Sequence, residues 1–247
     1  MTPNEKFERD GFVALGNFFG SEEISAINTA IARFIREYLH KLRPEHVFFE
    51  DKGEQKTLKQ IQQLQKHDSF FNKLFEDKPR LLAEQLLGEN VIGKNLQYFN
   101  KPPGHNQATP PHQDGQYFML KPCHAVTLWL ALDDTDEENG CVRYVRGSHK
   151  HGLRPHKRTQ TLGFSQGITD FGLPEDITNE VPCPARPGDI LAHHALTIHR
   201  ANANNSKYRT RRALGFIFYA KSACENFKAH KRYQDNLSNE LAQAGKI

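Results

Sequence analysis

After Gly88 the apolar residues of this chain stop recurring at helical spacing and fall into short runs, at 91–100, 111–120, 125–132, 141–145, 189–195 and 212–220. Turn signals bound them: Pro102-Pro103-Gly104, Asp133-Asp134, Asn139-Gly140, Pro187-Gly188 and Asn204-Asn205. A parallel strand pair needs a crossover of a dozen or more residues, usually a helix. Most of these runs have no helical pattern between them, so they are expected to pair antiparallel, as a sandwich or barrel rather than a parallel α/β sheet.

The first 90 residues read differently. Residues 11–19 suggest a short strand and a turn. Ser21 has the chemistry of a helix N-cap, and Glu22 and Glu23 suit the positive end of a helix. Ile24, Ile27, Ile31, Phe34, Ile35, Tyr38 and Leu42 then keep helical spacing. A second helical region is expected at Leu58, Ile61 and Leu64. A third holds Phe71, Leu74 and Phe75 and continues past Pro79 through Leu81, Leu82, Leu86 and Leu87 to a C-cap at Gly88. Residues 150–180 are punctuated by Gly and Pro without a period, which predicts a long functional loop or lid. The expected organisation is a single domain over 1–247, mainly β with flanking helices. It has a helical region at 1–90, a β core at 91–220 and a polar outer helix at 225–244.

A chain of 247 residues can bury a full core without disulfides. Cys123, Cys141, Cys183 and Cys224 include no C-x-x-C pair, which removes the zinc-finger and thioredoxin readings. Most are expected to be reduced and buried as apolar filler. No apolar run approaches the roughly 18 residues of a membrane span. The N-terminus lacks the basic-then-apolar pattern of a signal peptide, so the expected location is cytoplasmic. A formal net charge of +4 is too weak to argue for nucleic acid. No nucleic-acid, membrane or obligate protein partner is expected.

Histidine, at 13 residues, carries the chemical signal. In Pro110-Pro111-His112-Gln113-Asp114-Gly115, a strand would put His112 and Asp114 on one face, offering an imidazole and a carboxylate to one metal. Alone the pair is weak, since a capping Asp beside an unrelated His is common. Downstream, Pro187-Gly188-Asp189 opens another apolar strand, and His199 ends the next apolar stretch. Two histidines and one carboxylate leave three metal positions open, the arrangement of non-heme iron(II) oxygenases. His193 and His194 are rival ligands, but strand alternation lets at most one reach the metal. The spacing to Arg211 favours His199. Arg211 opens a strand expected to pair with the one ending near His199, and could grip a dicarboxylate through a bidentate pair. Arg209 and Arg212 compete for that role.

The run His112-Gln-Asp-Gly-Gln-Tyr117, Trp129, Glu138-Asn-Gly-Cys141, Gly147-Ser-His-Lys150, Pro187-Gly-Asp189, His199 and Arg211-Arg212-Ala213 resembles the phytanoyl-CoA dioxygenase family, in order and spacing from Phe7 to Ala220. The resemblance implies a double-stranded β-helix (jelly-roll, cupin-like) core and a dependence on Fe(II), 2-oxoglutarate and O2. It implies His112, Asp114 and His199 as iron ligands and Arg211 as the residue that grips 2-oxoglutarate. Trp129 would line that pocket, and Lys94 and Gln97 would lie among the co-substrate or substrate contacts. The implied reaction hydroxylates a C–H bond while 2-oxoglutarate gives succinate and CO2. Related halogenases carry a small residue in place of the carboxylate, so Asp114 favours hydroxylation.

The chain departs from the family after Asn139-Gly140-Cys141, where Val142-Arg143-Tyr144-Val145-Arg146 replaces an aliphatic residue and a proline. The plainer reading is a solvated basic stretch. The sharper one has Arg143 or Arg146 facing the pocket and selecting an anionic substrate. Tyr117, Phe118 and Phe99 fit core or pocket wall, His149 and His151 a turn, and 133–138 a solvated acidic hairpin. The substrate is expected to be a small organic molecule. Two other classes remain: a jelly-roll small-molecule binding protein, non-catalytic or merely metal-binding, and a zinc hydrolase.

Overall fold

A computed structural model describes every residue except 105, 106 and 160. The β-rich half is built from two facing antiparallel sheets, and strand alternation decides what each presents inward. The larger sheet has seven strands in the order β1-β12-β7-β14-β4-β3-β2. These are β1 (Phe12–Leu15), β2 (Val47–Phe49), β3 (Leu58–Ile61), β4 (Val91–Lys101), β7 (Ala125–Ala131), β12 (Ile190–His194) and β14 (Arg211–Ala220). The smaller has four, β11-β8-β13-β5: β5 (Thr109–His112), β8 (Val142–Val145), β11 (Glu180–Cys183) and β13 (His199–Ala201). Two short ladders complete the set, β6 (Leu120–Lys121) with β15 (Cys224–Glu225), and β9 (His156–Arg158) with β10 (Gln166–Ile168).

β14 shows how one strand serves two layers. Leu214, Phe216, Phe218 and Ala220 face a helical layer, whereas Arg211, Gly215, Ile217 and Tyr219 line a cavity between the sheets. The helices are α1 (Pro3–Asp10), α2 (Ser21–Glu37), α3 (Leu64–His67), α4 (Ser69–Glu76) and α5 (Lys78–Leu87). They bury Ile27, Phe34, Phe71 and Phe75 against the outer face of the large sheet. Phe75 stacks on Phe218 at 4.6 Å, an aromatic contact worth about 0.5–1.5 kcal/mol beyond its buried area. Three further helices follow: α6 (Gly115–Phe118), α7 (Pro174–Asn179) and α8 (Phe227–Gln243). α8 buries no residue fully, as its polar sequence requires, and lies at the cavity mouth.

Several expectations are corrected. Residues 58–61 form a strand, not a helix: three apolar residues cannot separate the two periods, and the edge of β4 offers this segment hydrogen-bond partners. The N-cap of α2 is Gly20, whose N–H donates to Glu23 Oε2 at 2.9 Å, and Ser21 is the first helical residue. Residues 150–180 are not one long loop. Arg154 ties the segment down through Asp170 and the buried Asp176, and β9, β10 and α7 form within it. Of the cysteines, Cys141 and Cys183 are buried, Cys123 is half-buried and Cys224 exposed, so filler describes two of them. Among the described residues no helix is long and apolar enough to cross a membrane.

The turn before β12 depends on Gly188. Its φ is +96°, and a Cβ there would meet the Phe19 carbonyl oxygen at 2.2 Å. Gly188→Ala is expected to destabilise the protein by at least about 1–3 kcal/mol, read as a lower urea midpoint at unchanged slope.

Candidate metal centre and its cavity

β5 ends at His112 and β13 begins at His199, and the antiparallel register sets these two residues directly opposite each other. Their ring centroids are 4.1 Å apart. Asp114 is not on the strand: its backbone is already helical (φ −58°, ψ −31°), at the head of α6. The turn is tight because Gly115 donates to the Ala195 carbonyl at 2.8 Å and has Cys123 Sγ where a Cβ would point. One ligand atom each from His112, Asp114 and His199 lies within 4.8 Å of the others, the one such cluster among the described residues.

The hydrogen bonds set the imidazole tautomers. His112 Nδ1 is 2.8 Å from the Pro110 carbonyl oxygen and His199 Nδ1 is 3.0 Å from that of Thr197. A carbonyl only accepts, so each Nδ1 carries the proton and each Nε2 keeps a lone pair. Both Nε2 atoms lie 3.7 Å from Asp114 Oδ1. Burial lowers the pKa of both rings, most strongly for His199, so both are neutral donors at neutral pH. Burial by itself would raise the Asp114 pKa. The hydrogen bond from His193 leads the opposing causes, and the carboxyl is held well below its ordinary range, so it stays ionised. Its other oxygen, Oδ2, accepts from Thr127 Oγ1 at 2.6 Å and from His193 Nε2 at 3.1 Å.

Of the rival pair on β12, His193 faces the centre, where it holds Asp114 and stays outside the three-residue cluster. His194 turns to the opposite side. Its Nδ1 accepts from Leu196 N, and burial beside His149 and His124 takes its pKa down to about 3. His149 and His151 lie in a short helical turn. Gln113, between two members of the cluster, is fully buried. It donates to the carbonyls of Gly152 and Leu196 and accepts from Arg154 N, fastening the 152–154 segment beside the centre.

The cluster opens into a cavity of about 690 Å³ that also holds Arg211, Trp129 and Gln97. Arg211 is 5% exposed and lies 5.4 Å from the Trp129 ring. Its buried Nε has no hydrogen-bond partner, and its side chain has no ion pair among the described residues. Burial draws its pKa down to about 10, so it stays charged. Arg209 is taken by Asp136 and Glu138, and Arg212 by Asp133. The expected hairpin between the strands of His199 and Arg211 does not form. β13 lies in the small sheet and β14 in the large one, so the two side chains line one cavity from facing walls.

The remaining candidates divide. Gln97 lines the cavity, and its Oε1 accepts from Gln60 Nε2 at 2.7 Å. Lys94 sits at the rim, 2.6 Å from Glu225 Oε2, with its charge already matched. The Tyr117 hydroxyl donates to the Gln166 carbonyl at 3.1 Å, with its ring on the cavity wall. Phe99 and Phe118 also line the cavity. Arg143 and Arg146 do not. Tyr144 points inward from β8, so Arg143 points outward, to Glu180 and Glu137. Arg146 sits beside Asp10. The acidic hairpin therefore serves as a set of arginine partners, through Asp133, Asp136, Glu137 and Glu138. Sequence reasoning missed the neighbour of Arg211: Lys101, its partner in register, is buried and donates to the carbonyls of Gln107 and Asn202, which nothing short of strand register reveals.

Solved structures share this architecture. The SnoN epimerase of nogalamycin biosynthesis, described as non-heme and alpha-ketoglutarate-dependent, superposes with a TM-score of 0.70 at 22% identity, over 90% of this chain and 83% of its own. EvdO2 of Micromonospora carbonacea var. aurantiaca, solved with 2-oxoglutarate, gives 0.71 at 22% identity, over 91% and 92%. Among curated proteins, the peroxisomal phytanoyl-CoA dioxygenase of Bos taurus is 26% identical over 257 aligned positions, covering 95% of this chain and 72% of the relative. Phytanoyl-CoA dioxygenase 1 of Oryza sativa subsp. japonica is 27% identical, covering 89% and 88%. A double-stranded β-helix with this kinship defines the class, a 2-oxoglutarate-dependent non-heme iron dioxygenase. The phytanoyl-CoA dioxygenase (PhyH) family profile matches residues 7–213, most of the chain. The chain belongs to that family.

Proposed function

We propose that His112, Asp114 and His199 hold Fe(II), that Arg211 binds the distal carboxylate of 2-oxoglutarate, and that the enzyme hydroxylates a small organic substrate. The observation that carries the reading is the donor set. Two neutral Nε2 lone pairs and one carboxylate oxygen converge, with both Nδ1 protons already committed. Such a set suits a divalent iron with open positions. Iron bound there would supply the oxygen chemistry that couples decarboxylation of 2-oxoglutarate, to succinate and CO2, with oxidation of a substrate C–H bond. The chain's own residues do the placing. Arg211 is a desolvated cation with no ion pair among the described residues, and a carboxylate would satisfy it through a charge-assisted pair. Trp129 packs beside the guanidinium and fixes its approach. Phe164, edge-on to His112 at 5.3 Å, and Tyr117 wall the centre against water.

The anionic substrate suggested by Arg143 and Arg146 loses its basis, since both point away from the cavity. A small organic substrate remains. A pure binding role fits poorly with an unpaired buried arginine beside a prepared metal site.

Adding 2-oxoglutarate to the Fe(II)-loaded protein without oxygen is expected to give a weak visible charge-transfer band. Bound iron with no band on addition of 2-oxoglutarate would favour the binding-protein reading. Screening neutral, anionic and thioester compounds for substrate-stimulated succinate release then addresses the substrate.

A further inference from the structure

Among the described residues, His193 is the one histidine facing the centre that the metal cluster leaves out, and its surroundings show what it does. An ionised carboxylate only accepts, so His193 Nε2 carries the proton that reaches Asp114 Oδ2 at 3.1 Å. His193 Nδ1 is then an acceptor, and the Tyr144 hydroxyl donates to it at 2.9 Å. Tyr144 is fully buried and stacks on Phe12 at 4.6 Å, and Phe12 is the cross-strand partner of His193. Tyr144 also stands opposite His199 in the small sheet. One rigid unit thus spans both sheets behind the cluster and ends on one oxygen of Asp114.

Thr127 reaches that same oxygen at 2.6 Å. With Oδ2 engaged by two donors, only Oδ1 faces the two Nε2 atoms. We propose that His193, oriented by Tyr144, is a positioning residue that restricts Asp114 to one-oxygen coordination and so keeps the third open position of the metal free. The inference rests on the iron-site reading above. A carboxylate released from His193 can rotate and chelate through both oxygens, occupying a position that 2-oxoglutarate and oxygen need. Outer partners of this kind typically change metal affinity by about 10–100-fold.

The test uses Co(II) as the probe, titrated into the metal-free full-length protein and followed by its d–d absorption. His193→Phe is expected to weaken Co(II) binding by about 10-fold or more and to change the intensity and position of the bands. His193→Gln, whose amide N–H can reach the same oxygen, should restore most of both. Tyr144→Phe should shift the spectrum in the same direction by less. His194→Phe, on the other side of the strand, should leave it unchanged. Wild-type affinity and spectrum in His193→Phe overturn the proposal. Where that variant does not fold, a wild-type spectrum in Tyr144→Phe overturns it. Loss of binding in His193→Phe with retention in Asp114→Ala would make His193 a ligand and also overturn it. Failure of the iron-site reading looks different: the wild-type protein binds no Co(II), or His199→Ala binds it unchanged.

Discussion

Replacing His199 by alanine is expected to abolish turnover and to weaken Fe(II) or Co(II) binding by more than about 100-fold, with the fold intact. Loss of a mere outer partner already costs about 10–100-fold, and His199 is proposed to contribute a ligand atom. The structural loss is small by comparison. One hydrogen bond disappears, from Nδ1–H to the Thr197 carbonyl at 3.0 Å, a net effect of about 0.5–1.5 kcal/mol. The strand keeps its backbone ladder to β5 and β8. Metal titration with a urea melt of the metal-free protein separates the two effects. Wild-type metal affinity in a folded His199→Ala protein would remove this residue from the site.

Arg211→Met should pull binding and stability in opposite directions. The guanidinium is buried, its Nε has no hydrogen-bond partner and its side chain no ion pair among the described residues, and in the proposed site a bound carboxylate would satisfy it. Losing one partner of a buried charge pair typically costs about 2–5 kcal/mol, so the KM for 2-oxoglutarate should rise at least ~30-fold. Iron affinity should not change, because Arg211 is not among the clustered donors. Stability of the ligand-free protein should stay level or rise, since an apolar residue of similar length removes the cost of burying an unpaired cation. Activity at saturating 2-oxoglutarate should recover in part. An unchanged KM would take the carboxylate away from Arg211.

The two-sheet architecture was legible because alternation and turn residues act locally, as along β14, where every second side chain changes layer. His112, Asp114, His199 and Arg211 could be singled out because each stands beside a turn or strand end that the sequence marks. What stayed hidden depends on pairing between distant strands. Nothing local says that β13 joins the small sheet and β14 the large one, so the sequence suggests a hairpin where two walls face each other. The choice between His193 and His194 is a matter of strand parity, invisible until the register with β7 is known. The same parity sends Arg143 outward and brings Tyr144 in against His193, so the residues after Cys141 matter through the tyrosine rather than the arginines.

An anaerobic crystal structure with iron and 2-oxoglutarate, phased to show the anomalous iron signal, tests the assignment most directly. The expected map has one iron peak about 2.0–2.2 Å from Nε2 of His112, Nε2 of His199 and a single oxygen of Asp114, with the distal carboxylate of 2-oxoglutarate on the Arg211 guanidinium. An iron peak away from these three atoms, or 2-oxoglutarate bound without touching Arg211, would contradict it.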